Sequence, residues 1–308
     1  MRYGIALPNY GALATPENLL RLARRAEDCG VDSVWVSDHV IMPDEATSVY
    51  PYDPSARPAP ALLQRLEQFY DALTTLAFVA GATTRVRLGV SVYVVPIRNP
   101  LLTAKIVASL DALSRGRVIF GCGVGWLREE FDALHTPFAD RGARTDEYLQ
   151  ICQALWTREV TSLPGPLYSA AAVRARPKPY QQPYPPIWIG GNSDAALRRA
   201  VRLGDGWHPI DLSPETIAAK RDALRDLCAA AGREPAEITI SLRGTLRFTA
   251  AQPQSHAPLA GTPEKIRADV AAYAAAGVEY LVLNLRDGST IDALVAQLER
   301  VAGEVMCD

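Results

Sequence analysis

The chain reads as a (β/α)8 barrel on three observations. Continuously apolar runs alternate with amphipathic helical segments along its 308 residues, eight such pairs can be counted, and one helix, glycine and strand unit recurs at distant places. Apolar strands without polar alternation belong to a parallel sheet covered by helices. Eight units favour a closed barrel over an open sheet.

The first unit is a strand from Tyr3 to Leu7, the turn Pro8-Asn9-Tyr10-Gly11 and a helix opened by Thr15-Pro16-Glu17. The hydroxyl caps free N–H groups, the proline stands where no donor is needed, and the acid meets the positive end of the helix dipole. Leu19, Leu22, Ala23 and Ala26 mark its buried stripe, and Gly30 ends it. The second strand, Ser33 to His39, ends on the single Asp-His pair of the chain, Asp38-His39. A proline-rich insertion, 41–66, follows with Pro43, Pro51, Pro54, Pro58, Pro60, Tyr50 and Tyr52; leaving a strand's carboxyl end, it is a candidate lid.

Val86 to Val94 is the third strand, with a helix from Asn99 to Leu113, and Arg117 to Val124 the fourth, with a helix from Arg144 to Trp156. A second proline-rich loop, 159–186, leads to Ile187–Ile189, then Gly190-Gly191 and a helix opening at Ser193. Gly206-Trp207-His208 is the sixth strand, Ile238 to Phe248 the seventh and Tyr280 to Leu285 the eighth. Ser213-Pro214-Glu215 and Thr262-Pro263-Glu264 repeat the first helix signal, with stops at Gly232 and Gly277, and Thr290 to Val301 closes the chain. Both insertions sit on the barrel pattern without breaking it, so residues 1–308 form one domain.

With 48% hydrophobic residues the chain can bury one large core, and a net charge of -2 gives no footprint for nucleic acid or a membrane surface. The partner expected is a small molecule. The start lacks a signal-peptide pattern and no apolar run is long enough to span a bilayer, so a cytoplasmic location is expected. Cys29, Cys122, Cys152, Cys228 and Cys307 are scattered without a C-x-x-C, as reduced core thiols would be.

Catalytic groups of a barrel come from the carboxyl ends of its strands. The lysines Lys105, Lys178, Lys220 and Lys265 lie in helices or loops, which disfavours Schiff-base chemistry. The fourth and seventh strand ends supply no carboxylate pair for a glycosidase, and there is no G-x-S-x-G. His39, His135, His208 and His256 lack metal-ligand spacing, so no metal is expected, although His39, His208 and Asp38 could meet across the barrel. A barrel poor in reactive side chains and rich in strand-end glycines suggests that a bound cofactor carries the chemistry. Gly121-Cys122-Gly123-Val124-Gly125 is read as a strand end stripped for a flat ring, the alternative being glycine for tight packing. Gly190-Gly191-Asn192-Ser193 is read as a phosphate site at a helix N-terminus, the alternative being an ordinary serine cap. His39 is a proton donor or acceptor beside the cofactor, or else a histidine satisfied by backbone.

Together Ala6-Leu7-Pro8-Asn9-Tyr10-Gly11, Val34-Trp35-Val36-Ser37-Asp38-His39, Leu113-Ser114-Arg115-Gly116-Arg117 through Gly125-Trp126, Glu129-Glu130-Phe131, Arg141-Gly142-Ala143-Arg144-Thr145-Asp146-Glu147, Trp188 to Ser193 and Gly204-Asp205-Gly206-Trp207 resemble the bacterial-luciferase-like superfamily, in particular its coenzyme F420-dependent branch. The resemblance implies a luciferase-like barrel and an F420-dependent oxidoreductase that passes a hydride between deazaflavin and a small organic substrate. Asp38 and His39 would stand at the ring, with His39 as proton partner, and a cis peptide between Ser91 and Val92 would lie under it. Cofactor contacts are expected from Ser91, Val92, Gly123, Gly125, Trp126, Gly190, Gly191 and Asn192, and substrate contacts from Asn9, Tyr50 and His208. Where sugar-phosphate dehydrogenases of this branch carry a catalytic glutamate, Trp126 stands here, which points to another substrate. An FMN-dependent monooxygenase using O2 and a flavin-binding barrel without turnover are the alternatives. A homodimer and a separate flavin or F420 reductase are the protein partners implied.

Overall fold

The computed structural model describes residues 1–52, 68–249, 259–285 and 289–306. Eight parallel strands pair in chain order: β1 (Arg2–Ala6), β2 (Ser33–Val36), β3 (Arg87–Val90), β4 (Val118–Gly123), β5 (Ile187–Gly190), β6 (Gly206–His208), β7 (Thr239–Phe248) and β8 (Tyr280–Leu285). The sheet closes where β8 returns to β1, in register from Arg2 opposite Tyr280 to Ile5 opposite Leu283. The expected (β/α)8 barrel is the fold observed. Its outer helices are α1 (Pro16–Asp28), α2 (Ala72–Ala80), α3 (Pro100–Leu113), α4 (Arg141–Thr157), α5 (Asp194–Leu203), α6 (Pro214–Ala231), α7 (Pro263–Ala276) and α8 (Ile291–Glu304). Among the described residues no helix is long and apolar enough to cross a membrane.

The repeated start signal works as read. The hydroxyls of Thr15, Ser213 and Thr262 accept from the N–H groups of Asn18, Thr216 and Lys265 at 3.2, 3.3 and 3.4 Å, caps worth about 1 kcal/mol each. Gly232 and Gly277 end α6 and α7 with φ of 65° and 102°, a backbone that a Cβ would strain.

Four local readings change. Val86 to Val94 is not one strand: β3 stops at Val90, the Ser91–Val92 peptide is cis, and Tyr93–Val94 pairs further along β4, with Cys122 and Gly123. The loop 159–186 contains an antiparallel hairpin, Thr161–Pro164 with Ser169–Val173. Helices Ala72–Ala80 and Arg128–Ala133 were not anticipated, the first because its sequence is apolar nearly all round, the second because it is short. Helix α4 starts at Arg141, one turn before the expected Arg144. Cys122, Cys152 and Cys228 are buried thiols, and Cys307 and 53–66 of the first insertion lie outside the described residues.

Aromatic rings fill the barrel's axis. Trp35 stacks on Trp188 at 5.4 Å and on His208 at 5.1 Å, and Tyr280 meets Trp188 edge-on at 5.0 Å. Glycines admit them: a Cβ on Gly89 would fall 2.3 Å from Trp35, and one on Gly206 2.5 Å from Trp188. This layer is the solid floor on which the site rests.

Two groups, the buried His208 and the partly exposed Glu27, tie this architecture to pH. Burial, helped by the nearby Arg243 charge, lowers the His208 pKa to about 3. Glu27, at the end of α1, accepts the N–H groups of Thr84, Arg85 and Val86 at 2.9, 2.7 and 3.0 Å, pinning the chain as it enters β3. Burial raises its pKa, but those bonds outweigh it and bring it down to about 2. The unfolded chain protonates His208 near its ordinary 6.5, where the folded protein does not, so stability falls as pH drops from about 6.5 towards 3. Glu27 contributes stability above its ordinary 4.5, lost as pH falls towards about 2. Urea unfolding across this range is expected to show a two-stage loss, with Glu27→Gln flattening the lower stage and leaving the upper one in place.

Candidate active site

At the carboxyl ends of the strands lies a cavity of about 650 Å³, walled by the ends of β2 to β7 and by Ser48 to Tyr52 of the first insertion. Its base is one hydrogen-bonded chain. Ser241 donates to the Trp207 carbonyl at 3.1 Å, leaving its oxygen to accept from His208 Nδ1 at 2.7 Å; His208 Nε2 then accepts from the Ser91 hydroxyl at 2.7 Å. Arg243 Nη1 donates to the Ser91 carbonyl at 2.6 Å and Nη2 to the Ser37 hydroxyl at 3.2 Å. The depressed pKa makes His208 a neutral ring, and because Ser241 spends its hydrogen on the Trp207 carbonyl, Nδ1 carries the proton and Nε2 is the acceptor for Ser91. His208 thus lines the cavity as a support for Ser91.

Beside Ser91, Val92 presents its methyl groups to the cavity. A Cβ on Gly123 would stand 2.4 Å from Val92 Cγ2, and one on Gly190 2.6 Å from Cγ1. The stripping of the fourth strand therefore corrects the reading of a backbone wall left bare for a ring: the space is filled by Val92, and Val92 is the surface a ring would meet. Gly125 has φ of 78° and lies against Phe131 and Val94.

Strand β2 ends at Val36, so Asp38 and His39 are free of the strand's alternation and go separate ways. Both Asp38 oxygens receive Arg98, each at 2.7 Å, and Oδ2 also accepts the Val94 N–H at 2.8 Å. Burial raises the Asp38 pKa, while Arg98 and the Val94 N–H act the other way. With its side chain fully buried and both oxygens committed, Asp38 corrects to a brace under the site, not a group that meets a ligand. His39 turns to the cavity. Its Nδ1 lies 2.9 Å from Oε2 of Glu130, whose Oε1 accepts the Val40 N–H at 2.6 Å. A carboxylate is an acceptor only, so Nδ1 carries the proton and Nε2 is the ring's remaining basic atom. The ring meets Phe69 and Trp126 edge-on at 5.5 and 6.1 Å, and Trp126 meets Tyr50 at 5.2 Å.

The adjacent Glu129 clasps the insertion. It accepts the Thr47 N–H at 2.7 Å and the Ser48 hydroxyl at 2.7 Å; burial raises its pKa, and these bonds bring it down to about 2. Successive acids on one short helix thereby fix both ends of 40–48 over the mouth.

At the β5 end, Gly191 has φ of 119°, and Ser193 caps α5 by accepting the Ala196 N–H at 3.2 Å. Asn192 bonds both backbone groups of Ile210, donating to its carbonyl at 2.9 Å and accepting its N–H at 3.0 Å, so it shapes the turn, and it lines the cavity with its second amide N–H uncommitted in these bonds. Asp194 is drawn away by Lys220 at 2.6 Å. Asn9 is fully buried, bonded to both backbone groups of Ser37 and to the Tyr70 carbonyl, and does not border the cavity. Its expected substrate contact is corrected to a strut between β1 and the end of β2. Among the described residues no three His, Cys, Asp or Glu side chains are placed to share a metal.

The reading from sequence missed Glu130, Arg98, Ser37, Ser241 and Arg243 as site components. Arg243, a charge between buried Leu242 and Gly244, was detectable as an inward break in an apolar strand. The partners of His39 and Asp38 lie 91 and 60 residues away and left no local signal.

The cavity's size is that of small-molecule sites, with apolar and aromatic walls and a few fixed polar groups. Fold and cavity define a barrel of the ligand-binding kind with its site at the carboxyl end. The chain belongs to the luciferase-like monooxygenase family, whose model matches residues 1–255. An uncharacterised Mycobacterium tuberculosis protein is 36% identical over 225 residues, 72% of this chain and 76% of its own. Among solved structures, the monooxygenase RslO1 from Streptomyces bottropensis superposes with TM-score 0.81 at 22% identity, covering 99% of each chain. The coenzyme F420-dependent tetrahydromethanopterin reductase from Methanopyrus kandleri does so with TM-score 0.78 at 18% identity, over 99% of this chain and 98% of that one. At these identities the two structures establish the shared fold, and F420-dependent enzymes and monooxygenases both occur on it.

Proposed function

We propose that the protein is an F420-dependent oxidoreductase acting on a small organic substrate, with His39 as the proton partner. The observation that carries this reading is the His39–Glu130 pair, a buried carboxylate fixing one histidine tautomer at the mouth of a cavity otherwise short of reactive groups. When bound, the deazaflavin supplies a hydride donor or acceptor. Val92, Ser91 and the Gly123 to Trp126 turn would hold the ring, and the Gly190 to Ser193 turn its phosphate. His39 Nε2 moves the matching proton, Trp126 and Tyr50 exclude water, and Arg243 with His208 keeps Ser91 in place.

Titration of the pure protein with F420 and with FMN tests the assignment. F420 is expected to bind roughly tenfold tighter or better. Tighter FMN binding would overturn it in favour of an FMN monooxygenase that receives reduced flavin from a separate reductase.

A further inference from the structure

We propose that Arg128 and Arg141 form an anion subsite on the cavity wall, separate from the Gly190 to Ser193 turn, for a carboxylate or phosphate on the molecule bound there. Both arginines line the cavity together with Phe138. Their guanidinium carbons lie 4.4 and 3.9 Å from the centre of the Phe138 ring, so one ring gathers two positive charges.

Other arginines of the fold are matched, Arg98 with Asp38, Arg144 with Asp140 and Arg199 with Asp146, and the unpaired Arg243 of the cavity is engaged by the Ser91 carbonyl and the Ser37 hydroxyl. Among the described residues Arg128 and Arg141 have no carboxylate partner. Arg141 Nη1 reaches only the Phe138 carbonyl, at 3.0 Å, and its Nε is buried without an acceptor. A buried donor left unpaired costs about 1–3 kcal/mol, and like charges side by side add to that cost. Burial and then the Arg128 charge push the Arg141 pKa down, the direction expected of a cation lacking its counterion.

The surroundings favour an anion as well. Arg141 opens α4, and the preceding Asp140 is spent on Arg144 at 2.7 Å and not on Arg141. Arg199 also lines the cavity, but it is paired with Asp146 and reaches the Gly142 carbonyl at 3.2 Å, so the uncompensated charge is that of Arg128 and Arg141. A ligand with a single phosphate is served by the Ser193 turn. Two further cations suit a second acidic group, either the glutamyl carboxylates of a deazaflavin tail or an acid on the substrate. The first source rests on the F420 reading; the subsite itself rests on the arginines.

The test uses the protein without cofactor first. Isothermal titration with glutarate and with inorganic phosphate compares wild type, Arg128→Gln and the Arg128→Gln/Arg141→Gln pair, with circular dichroism confirming the fold; Arg128 is exposed, so its single variant keeps the test usable if the pair fails to fold. Binding of these probes is expected to weaken roughly fivefold or more in the pair, as loss of a charge-assisted bond implies. F420 and its tail-less deazariboflavin are then titrated. Loss confined to F420 assigns the subsite to the cofactor tail; unchanged affinity for both, with glutarate still weakened, assigns it to an acidic substrate. Probes bound equally by wild type and the variants, or an equal loss for the tail-less form, would overturn the subsite. Failure of F420 itself to bind wild type would instead sink the cofactor assignment, with glutarate and phosphate still deciding the arginines.

Discussion

An Arg98→Met variant is expected to lose about 3–5 kcal/mol of unfolding free energy, the cost of leaving a buried carboxylate without its cation. Asp38 is fully buried and held by two 2.7 Å bonds from Arg98, whose guanidinium also lies 4.4 Å over the Tyr93 ring. Methionine keeps most of the volume and removes the charge, so desolvation then acts on Asp38 unopposed. In urea unfolding at pH 7 the midpoint should fall without a change in slope. Asp38→Asn strands the opposite partner, while keeping an oxygen for the Val94 N–H. The Asp38→Asn/Arg98→Met double variant should therefore cost clearly less than the sum of the two singles. A loss below about 1 kcal/mol for Arg98→Met, or strict additivity, would mean that the pair behaves as a surface ion pair.

This bridge also explains what local sequence could and could not reveal. The barrel was legible because its determinants are short-range: apolar strands, the Thr/Ser-Pro-Glu starts and the glycine stops each act within one unit, and repetition made the count reliable. Part of the site was legible for the same reason, since strand ends must border the cavity; His39, Ser91, Val92, Gly123 to Trp126 and His208 all do. The division of labour between neighbours was not. Asp38 and His39 are adjacent, yet one faces Arg98 and the other Glu130, partners chosen by tertiary packing. Glycine was similarly ambiguous. Gly123 reads alike whether it leaves room for a ligand or for Val92, and only the position of Val92 decides between them.

The two buried acids have opposite consequences. Asp38 neutralises a cation and holds backbone, so its loss should appear first in stability. Glu130 has its side chain 1% exposed and faces a ring that borders the cavity, so its loss should appear first in turnover.

Glu130→Gln is accordingly expected to lower kcat by about 10²-fold or more, within the range of general acid–base assistance. The substitution is nearly isosteric, and its carbonyl oxygen can still accept the Val40 N–H, which Glu130 receives at 2.6 Å. Its amide nitrogen, however, donates where the carboxylate accepted, so His39 Nδ1 must accept and the ring proton moves to Nε2. The atom facing the cavity then starts with a proton where it needs a lone pair, and it lacks the carboxylate that stabilises the imidazolium. The loss should appear in kcat/KM as well, while cofactor affinity changes by less than roughly threefold. Those two readouts separate a positioning residue from a merely structural one, which would lower stability and cofactor affinity together. Glu130→Ala adds the loss of the acceptor for the Val40 and Ile41 N–H groups and should also destabilise the protein by about 1 kcal/mol. Full turnover in a folded Glu130→Gln protein would reduce Glu130 to an anchor for the start of the insertion; full turnover in His39→Ala would remove the proton role from both.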